Sequence, residues 1–352
     1  MFLKYLFLQN FRSYKKSEFF FNQNTTFVIG SNTTGKTNLI ESIYFLSSGK
    51  SFRTEKDSQL IQFGENLARI KGKTTDTDLE IILTDQRSNG RETPFKKFLV
   101  NGVSKRRVDF SSNLVAALFS PEDLDIITGS PSLRRNFLDN VLEQVDREYH
   151  IANITYTKAL RQRNALLDVA RETGNRNEKQ FEYWDLILIK NGGIITQKRE
   201  ELIEFINSEL KDIFDFAAIY DKSIISKARL LQYKDAEVGA GVTLVGPQRD
   251  DFIIEMFDNV KQEACDVKFF GSRGQQRLVV LQLKFLELSF IEKALGFRPV
   301  FLLDDIFSEL DSGHIKHILG MIDHQQTIIT TTHEEFIPKS ILVKAQVIEL
   351  SK

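Results

Sequence analysis

Residues 30–37 read Gly-Ser-Asn-Thr-Thr-Gly-Lys-Thr and follow directly on the apolar run Phe27-Val28-Ile29. No other stretch limits the possible folds as strongly. A GxxxxGK[ST] run set between an apolar strand and a helical pattern through Leu39, Ile40, Ile43 and Leu46 requires strand, loop and helix in immediate succession. The loop's backbone N–H groups then converge at a helix N-terminus, where amides and helix dipole together favour a chain of phosphates. Gly30, Ser31, Asn32, Thr33, Thr34 and Gly35 form the cradle, Lys36 is placed for the β- and γ-phosphates, and the Thr37 hydroxyl is placed for Mg²⁺.

The chain of 352 residues is 41% hydrophobic and 27% charged, enough for one large core or two modest ones and without a signature of disorder. A net charge of −1 means that contact with nucleic acid has to rest on local basic patches, because the field of the whole molecule attracts no polyanion. The single cysteine, Cys265, excludes an internal disulfide and a Cys-rich metal site, and suits a reducing compartment. The opening MFLKYLFLQNFRSY is interrupted by Lys4 and Gln9 and lacks a small-residue cleavage site, so it is neither signal peptide nor anchor. A soluble, cytoplasmic protein with no membrane partner is expected.

Residues 2–8, 17–21 and 26–30 are β-rich and joined by the turn-like NFRSYKK and NQN, which predicts three short strands. Beyond the phosphate-loop helix, Arg53 follows a Gly-Lys-Ser turn; it either reaches back toward bound phosphates or belongs to a solvated turn. Residues 67–75, 79–84 and 95–103 alternate or run apolar, and Asn101-Gly102 signals a tight primed hairpin turn. Lys96, Lys97, Lys105, Arg106 and Arg107 cluster there, suiting either contact with a phosphate backbone or protection of a sheet edge against aggregation.

From Pro121 the apolar spacing becomes helical, through Leu133, Phe137, Leu138, Val141 and Leu142, and stays so to residue 215 with a break at Thr173-Gly174-Asn175. This predicts an insertion of antiparallel helices, too short for a long coiled-coil arm. Its cations Arg134, Arg135, Lys158, Arg161 and Arg163 are balanced by Glu143, Asp146, Glu148 and Asp168, the composition of a solvated helix surface. Strand character returns at residues 242–245, then GPQRDDF leads into Ile253, Ile254 and Met256, with Arg249, Asp250 and Asp251 at a strand edge.

Two further devices stand downstream. GSRGQQR opens a long apolar helix, so Ser272, Gly274 and Gln275 sit at a helix N-terminus, a second place where amides can meet a phosphate. The run Val300-Phe301-Leu302-Leu303 ends in Asp304 and Asp305 at the carboxyl edge of a parallel strand, where α/β folds place their ligands. Asp304 suits the metal partner of Thr37, and Asp305 suits polarising an attacking water; alone, the pair is equally a turn or a helix cap. Residues 327–332 form a last core strand ending at His333, either a sensor of the terminal phosphate or a structural histidine.

GSNTTGKT, GSRGQQR, FLLDDIFSELD and TTTH stand in the order and spacing of an ATP-binding-cassette head. Within that superfamily the chain closely resembles the RecF family of bacterial recombination proteins. The likeness covers nearly the whole length, through NFRSY, the phosphate loop, FSPEDLDIITGSPSLRRNFLD, LVGPQRDDF, the signature segment and LLDDIFSELD. It implies an α/β cassette head, a P-loop NTPase with a mixed sheet and a β-subdomain, made from residues 1–120 and 240–352, with a helical second lobe at 121–239. It also implies ATP and Mg²⁺ as cofactors, a weak DNA-stimulated ATPase acting as a switch, and an ATP-dependent homodimer sandwiching both nucleotides. The implied partners are single- and double-stranded DNA, including gapped DNA, and RecO and RecR in delivering RecA. Asp305 and His333 would be catalytic, Thr37 and Asp304 would hold the metal, and residues 30–37, Arg53, Ser272, Gly274 and Gln275 would contact nucleotide.

The chain departs from the family at two places. Family phosphate loops read Gly-x-Asn-Gly-x-Gly-Lys-Thr, and Thr33 takes the second glycine, where the backbone usually has positive φ. A His-Arg pair found in part of the family is Phe52-Arg53 here. A transporter ATPase would share both phosphate devices but carries LSGGQ in place of GSRGQ and glutamate in place of Asp305. An ATPase-nuclease of the overcoming-lysogenisation type needs an acidic C-terminal domain, for which the residues after His333 are too few. A structural DNA-binding module has no use for Lys36, Thr37 and Asp304 together.

Overall fold

The computed structural model describes residues 2–54, 56–85, 95–258, 262–308, 312–322, 325–332, 335, 337 and 342–351. Two compact units divide the chain: Met1–Asp123 with Lys284–Lys352, and Leu124–Leu283. The divisions fall after Asp123 and after Leu283. Residues 240–283 belong with the helices because strand Asp251–Asp258 pairs with Ala217–Asp221 on one side and Glu263–Asp266 on the other.

In the first unit, five parallel strands lie in the order Gln346–Glu349, Thr25–Ile29, Thr327–Thr331, Val300–Leu303, Ala116–Phe119. Three of these strands are buried along their whole length, as a parallel sheet covered on both faces requires. A second, antiparallel sheet runs Tyr14–Phe20, Leu3–Phe11, Leu67–Thr74, Asp78–Thr84, Lys96–Val100, Val103–Lys105. Its strands alternate between buried and accessible residues, the period of a sheet with one covered face. The Asn101-Gly102 turn is as expected, both residues having positive φ (51° and 78°).

Helix Lys36–Ser48 shares one continuous apolar cluster with both sheets. Leu39, Ile40, Ile43, Phe45 and Leu46 are all buried, and so are Glu41, Ser42 and Ser47, so the helix has no solvent face. It comes so near strand Leu67–Thr74 that a Cβ on Gly72 would stand 2.3 Å from Leu46 Cδ2.

In the second unit, helices Pro131–Val145, Arg147–Thr173 and Glu178–Ser208 pack together, with Gly174 (φ 69°) closing the second of them. The expected solvated surface is wrong for two of its cations. Arg163 is fully buried, 2.6 Å from Asp185 Oδ1 and 2.7 Å from Glu237 Oε2, and Arg134 makes a bidentate pair with Asp251 at 2.6 and 2.9 Å. Sequence spacing concealed this because the partners are distant in the chain. Nor do residues 242–245 form a strand: Thr243 N and Oγ1 donate to Asn164 Oδ1, and Leu244 N donates to Glu237 Oε1. Side chains there take the backbone donor that a neighbouring strand would otherwise satisfy.

The two sheets of the first unit are tied through the buried amide of Gln326. Its Oε1 accepts from Leu3 N at 2.8 Å, and its Nε2 donates to Leu3 O at 2.7 Å and Asn22 O at 2.8 Å. Gln326→Leu keeps the volume and leaves three backbone groups without partners, at about 1–3 kcal/mol each for those that stay dry. Urea denaturation is expected to show a loss of at least about 2 kcal/mol with an unchanged m-value; stability equal to wild type would mean that the amide is not a tie.

Candidate nucleotide-binding site

Strand Thr25–Ile29 delivers the chain to Gly30, whose N–H donates to Thr331 O at 3.3 Å. A Cβ on Gly30 would lie 2.6 Å from Thr34 Oγ1 and 2.9 Å from Leu350 O, so only glycine fits. Gly35, the residue before the helix, has φ 102° and faces Tyr14 and Ser13, where a Cβ would lie 2.9 Å from the tyrosine oxygen. Thr33 takes positive φ too, at 74°. The loop therefore keeps the backbone course of a glycine at this position, with a β-branched residue that pays for it in strain.

Lys36 is 8% exposed and its Nζ donates to Gly30 O at 2.6 Å and Ser31 O at 3.0 Å, which arches the loop around the ammonium. Burial lowers its pKa, and the charges of Asp305 and Asp304 oppose that shift. Those two carboxylates follow strand Val300–Leu303, so the structure brings Lys36, Asp304 and Asp305 together as expected. Thr37 and Thr330 both hydrogen-bond Asp304, the latter donating from Oγ1 to Oδ1 at 2.6 Å. Thr330 Oγ1 in turn accepts from Asp305 N at 2.9 Å, and Asp305 has φ 50°. One hydroxyl thus sets both acids, a role for Thr330 that no local pattern signals.

The pKa of Asp304 is raised, first by burial; the hydroxyls of Thr330 and Thr37 pull it down, and the charges of Glu122 and Asp305 push it up. A buried carboxylate with two like charges near it and threonine hydroxyls bonded to it offers hard oxygen donors. These donors fit Mg²⁺, which usually takes only one or two protein carboxylates and completes its shell with water and phosphate oxygens. No group of three or more His, Cys, Asp or Glu suited to a metal occurs among the described residues.

Arg53 is tied to the helix that follows this loop. Its Nη1 donates to Asn38 Oδ1 at 3.0 Å, in the first turn of the helix, and stands 3.7 Å from Glu41 Oε2. Beside that turn an open depression of about 570 Å³ is lined by Arg12, Ser13, Asn38, Gln59, Phe63 and their neighbours. Sequence reading did not single out Arg12, Asn38 or Glu41; the NFRSY block holding Arg12 was read as a turn and as part of the family resemblance. His333 lies outside the described residues.

Ser272, Gly274 and Gln275 are in the second unit, at the start of helix Arg273–Leu295. Ser272 and Gln275 cap the helix reciprocally: Ser272 N donates to Gln275 Oε1 at 2.8 Å, and Gln275 N donates to Ser272 Oγ at 3.3 Å. Gly274 is exposed, and the nearest atom to a Cβ there is Ser272 Oγ at 4.0 Å. Of the hairpin cations, Lys97, Lys105 and Arg106 are exposed. Lys96 instead turns inward to Gly49 O at 2.8 Å and to Asp57, and Arg107 Nη1 donates to Ser48 O at 3.3 Å. Those two serve the fold of their unit.

The model of the RecF/RecN/SMC N terminal domain matches residues 2–349. The chain is 33% identical over 374 residues to the DNA replication and repair protein RecF of Bacillus cereus (strain B4264), covering 100% of this chain and 97% of that one. It is 35% identical over 351 residues to RecF of Lachnospira eligens, covering 94% and 92%. The chain belongs to the RecF family. Among solved structures, the recombination mediator protein RecF-ATP of the RecFOR pathway superposes with a TM-score of 0.84 at 31% identity, covering 96% of this chain and 93% of that one. An Smc head domain from Pyrococcus furiosus shares the fold, with a TM-score of 0.52 at 17% identity over 99% of this chain and 93% of that one. The fold is thus that of the cassette-type heads of RecF and SMC proteins. No helix among the described residues is long and apolar enough to cross a membrane.

The second glycine of the family loop is Thr33 here, with its φ of 74°. Thr33→Gly removes a strain of about 1–3 kcal/mol and restores about 1 kcal/mol of backbone freedom to the unfolded chain. A net gain of about 1 kcal/mol is expected in nucleotide-free urea denaturation, with Thr33→Ala showing little of it; a loss of stability in Thr33→Gly would refute the strain.

Proposed function

We propose that this chain is an ATP-binding, slowly hydrolysing DNA-repair protein that dimerises on ATP, binds single- and double-stranded DNA at gaps, and acts in the cytoplasm with RecO and RecR in loading RecA. The observation that carries this reading is the convergence of Lys36, Thr37, Asp304 and Asp305 on one phosphate loop in a RecF-family chain. Residues 30–37 cradle the phosphates, with Lys36 giving up its carbonyl contacts for the β- and γ-oxygens. Thr37 and Asp304 would hold Mg²⁺, which would supply positive charge against the phosphate oxygens. Asp305, set by Thr330, orients the attacking water, with His333 as a second catalytic group.

Ser272, Gln275 and the amides around Gly274 contact the nucleotide held by a second copy, so that two heads on a two-fold axis enclose two ATP molecules. Gly274 leaves room for such an approach: it is exposed, and among the described residues the nearest atom to a Cβ there is Ser272 Oγ at 4.0 Å.

Contact with DNA at the hairpin falls to Lys97, Lys105 and Arg106, in keeping with the RecF family's replication and repair role. Affinity is expected to fall with salt at a log–log slope of about −0.9 per duplex phosphate neutralised. Lys105→Ala with Arg106→Ala should flatten that slope by roughly 1–2; an unchanged slope would remove this hairpin from the DNA surface.

The shared nucleotide site is tested by mixing two inactive proteins. Ser272→Arg obstructs the partner's pocket and leaves the protein's own Lys36; Lys36→Met loses a charge-assisted phosphate contact, costing roughly 1.5–3 kcal/mol of ATP binding. Their mixed dimer has one intact composite site, so ATPase activity well above either protein alone is expected. No recovery where mixed dimers form would reject the shared site.

A further inference from the structure

We infer that Glu41 is a positioning residue for the nucleoside end of the site, fixing Arg12 at the depression beside the phosphate loop and holding the loop that carries Arg53. This rests on the nucleotide reading above. Glu41 lies one helical turn beyond Asn38 and is fully buried. Arg12 grips its carboxylate from both nitrogens, Nε to Oε2 at 2.8 Å and Nη2 to Oε1 at 2.6 Å. Ser51 Oγ donates to Oε1 at 2.6 Å and itself accepts from Arg53 N at 3.0 Å and Thr54 N at 3.1 Å. One carboxylate therefore organises the turn carrying Arg12 and the loop carrying Arg53.

Stability alone does not explain an acid at this position. A buried ion pair is often matched or bettered by apolar residues of the same volume, and an apolar side chain would suit a helix already buried on all sides. Asn10 and Arg12 also hold positive φ, at 50° and 51°, which costs backbone energy. The arrangement delivers the Arg12 guanidinium to the wall of the depression and bonds Arg53 to Asn38 of the same wall. Arg12 is held on three nitrogens, the third donating to Gln59 O at 3.0 Å, and still lines the depression together with Ser13, Asn38 and Gln59. Arg53 is held more loosely, by one hydrogen bond to Asn38, itself bonded to Ser13 Oγ at 2.9 Å. A planar guanidinium at such a wall can stack on a base and donate to ribose or α-phosphate oxygens. The depression, about 570 Å³ and open beside Asn38, is of the size that takes a nucleoside.

The test compares ATP with inorganic tripolyphosphate, which needs the loop and not the wall. Equilibrium binding of each would be measured with the full chain for wild type, Glu41→Ala, Glu41→Gln, Arg12→Ala and the double variant Glu41→Ala/Arg12→Ala. Glu41→Ala is expected to weaken ATP binding roughly tenfold or more, the worth of one charged hydrogen bond. Tripolyphosphate affinity should change by less than about threefold, and the double variant should bind ATP no worse than Arg12→Ala, because the two residues act as one unit. Should Glu41→Ala leave too little folded protein, Glu41→Gln, which keeps shape and one acceptor, carries the same comparison with a smaller loss. Equal losses for both ligands would assign Glu41 to the fold alone and overturn the inference, as would unchanged ATP affinity. Wild type binding tripolyphosphate as tightly as ATP would overturn it while leaving the phosphate loop intact; wild type binding neither would remove the nucleotide reading as well.

Discussion

Everything in the first unit depends on burying the helix Lys36–Ser48 between two sheets of different kinds. A helix without a solvent face has to be apolar almost throughout, and each fully buried Leu, Ile or Phe contributes about 1.5–3 kcal/mol. Because that helix begins at the lysine of the phosphate loop, the packing that holds the core also aims the loop. Both sheets grip the same element, the parallel one through Val28, Leu302 and Ile328 and the antiparallel one through Leu6, Ile70 and Ile81. A displacement of the helix large enough to spoil the loop would therefore open the core on both sides. Rigidity of the site comes from this arrangement.

The polar groups on the buried helix follow a division of charge. At its N-terminal end a cation, Lys36, stands near the acids Asp304 and Asp305; one turn further in, an acid, Glu41, stands between the cations Arg12 and Arg53. Charges of both signs are taken out of water, which is tolerable only where each has partners. In the first group the partners include the loop's own carbonyls, which a phosphate chain can replace; in the second they are side chains fixed by the fold. The exchangeable contacts thus lie where the chemistry is, and the permanent ones lie behind them. Thr330 extends the permanent set by bonding to both acids from the next strand.

Local pattern made the phosphate loop, the hairpin at Asn101-Gly102, the long helices and the acidic strand end legible in the sequence, because each is set by residues a few positions apart. What was missed is contributed by distant partners. Strand Gln346–Glu349 is short and half-accessible, and becomes a strand only by pairing with Thr25–Ile29. Ala116–Phe119 is four apolar residues just ahead of a helical region, too short for its period to be read. Arg163 and Arg134 looked like surface cations because neighbouring acids were present in the sequence, whereas Glu237 and Asp251 are the acids they meet. Among site residues, Asp304 was readable from its strand end. Glu41, inside an apolar helical run, carried a signal only in being an acid where the period wanted a hydrophobe.

Residues that folding explains and residues that it leaves over separate cleanly in the second unit. Asp250, fully buried, accepts from Arg199 Nη1 at 3.0 Å, Ser223 N at 2.6 Å and Tyr220, so its role is structural. Ser272 is half explained, since it caps its helix and keeps a hydroxyl proton to donate. Gly274, the second residue of its helix, is exposed, and no described residue crowds it. At Thr33 a residue that strains the backbone stands in a loop whose course glycine would follow freely. Thr33 keeps that course at a local cost that the surrounding core is strong enough to impose.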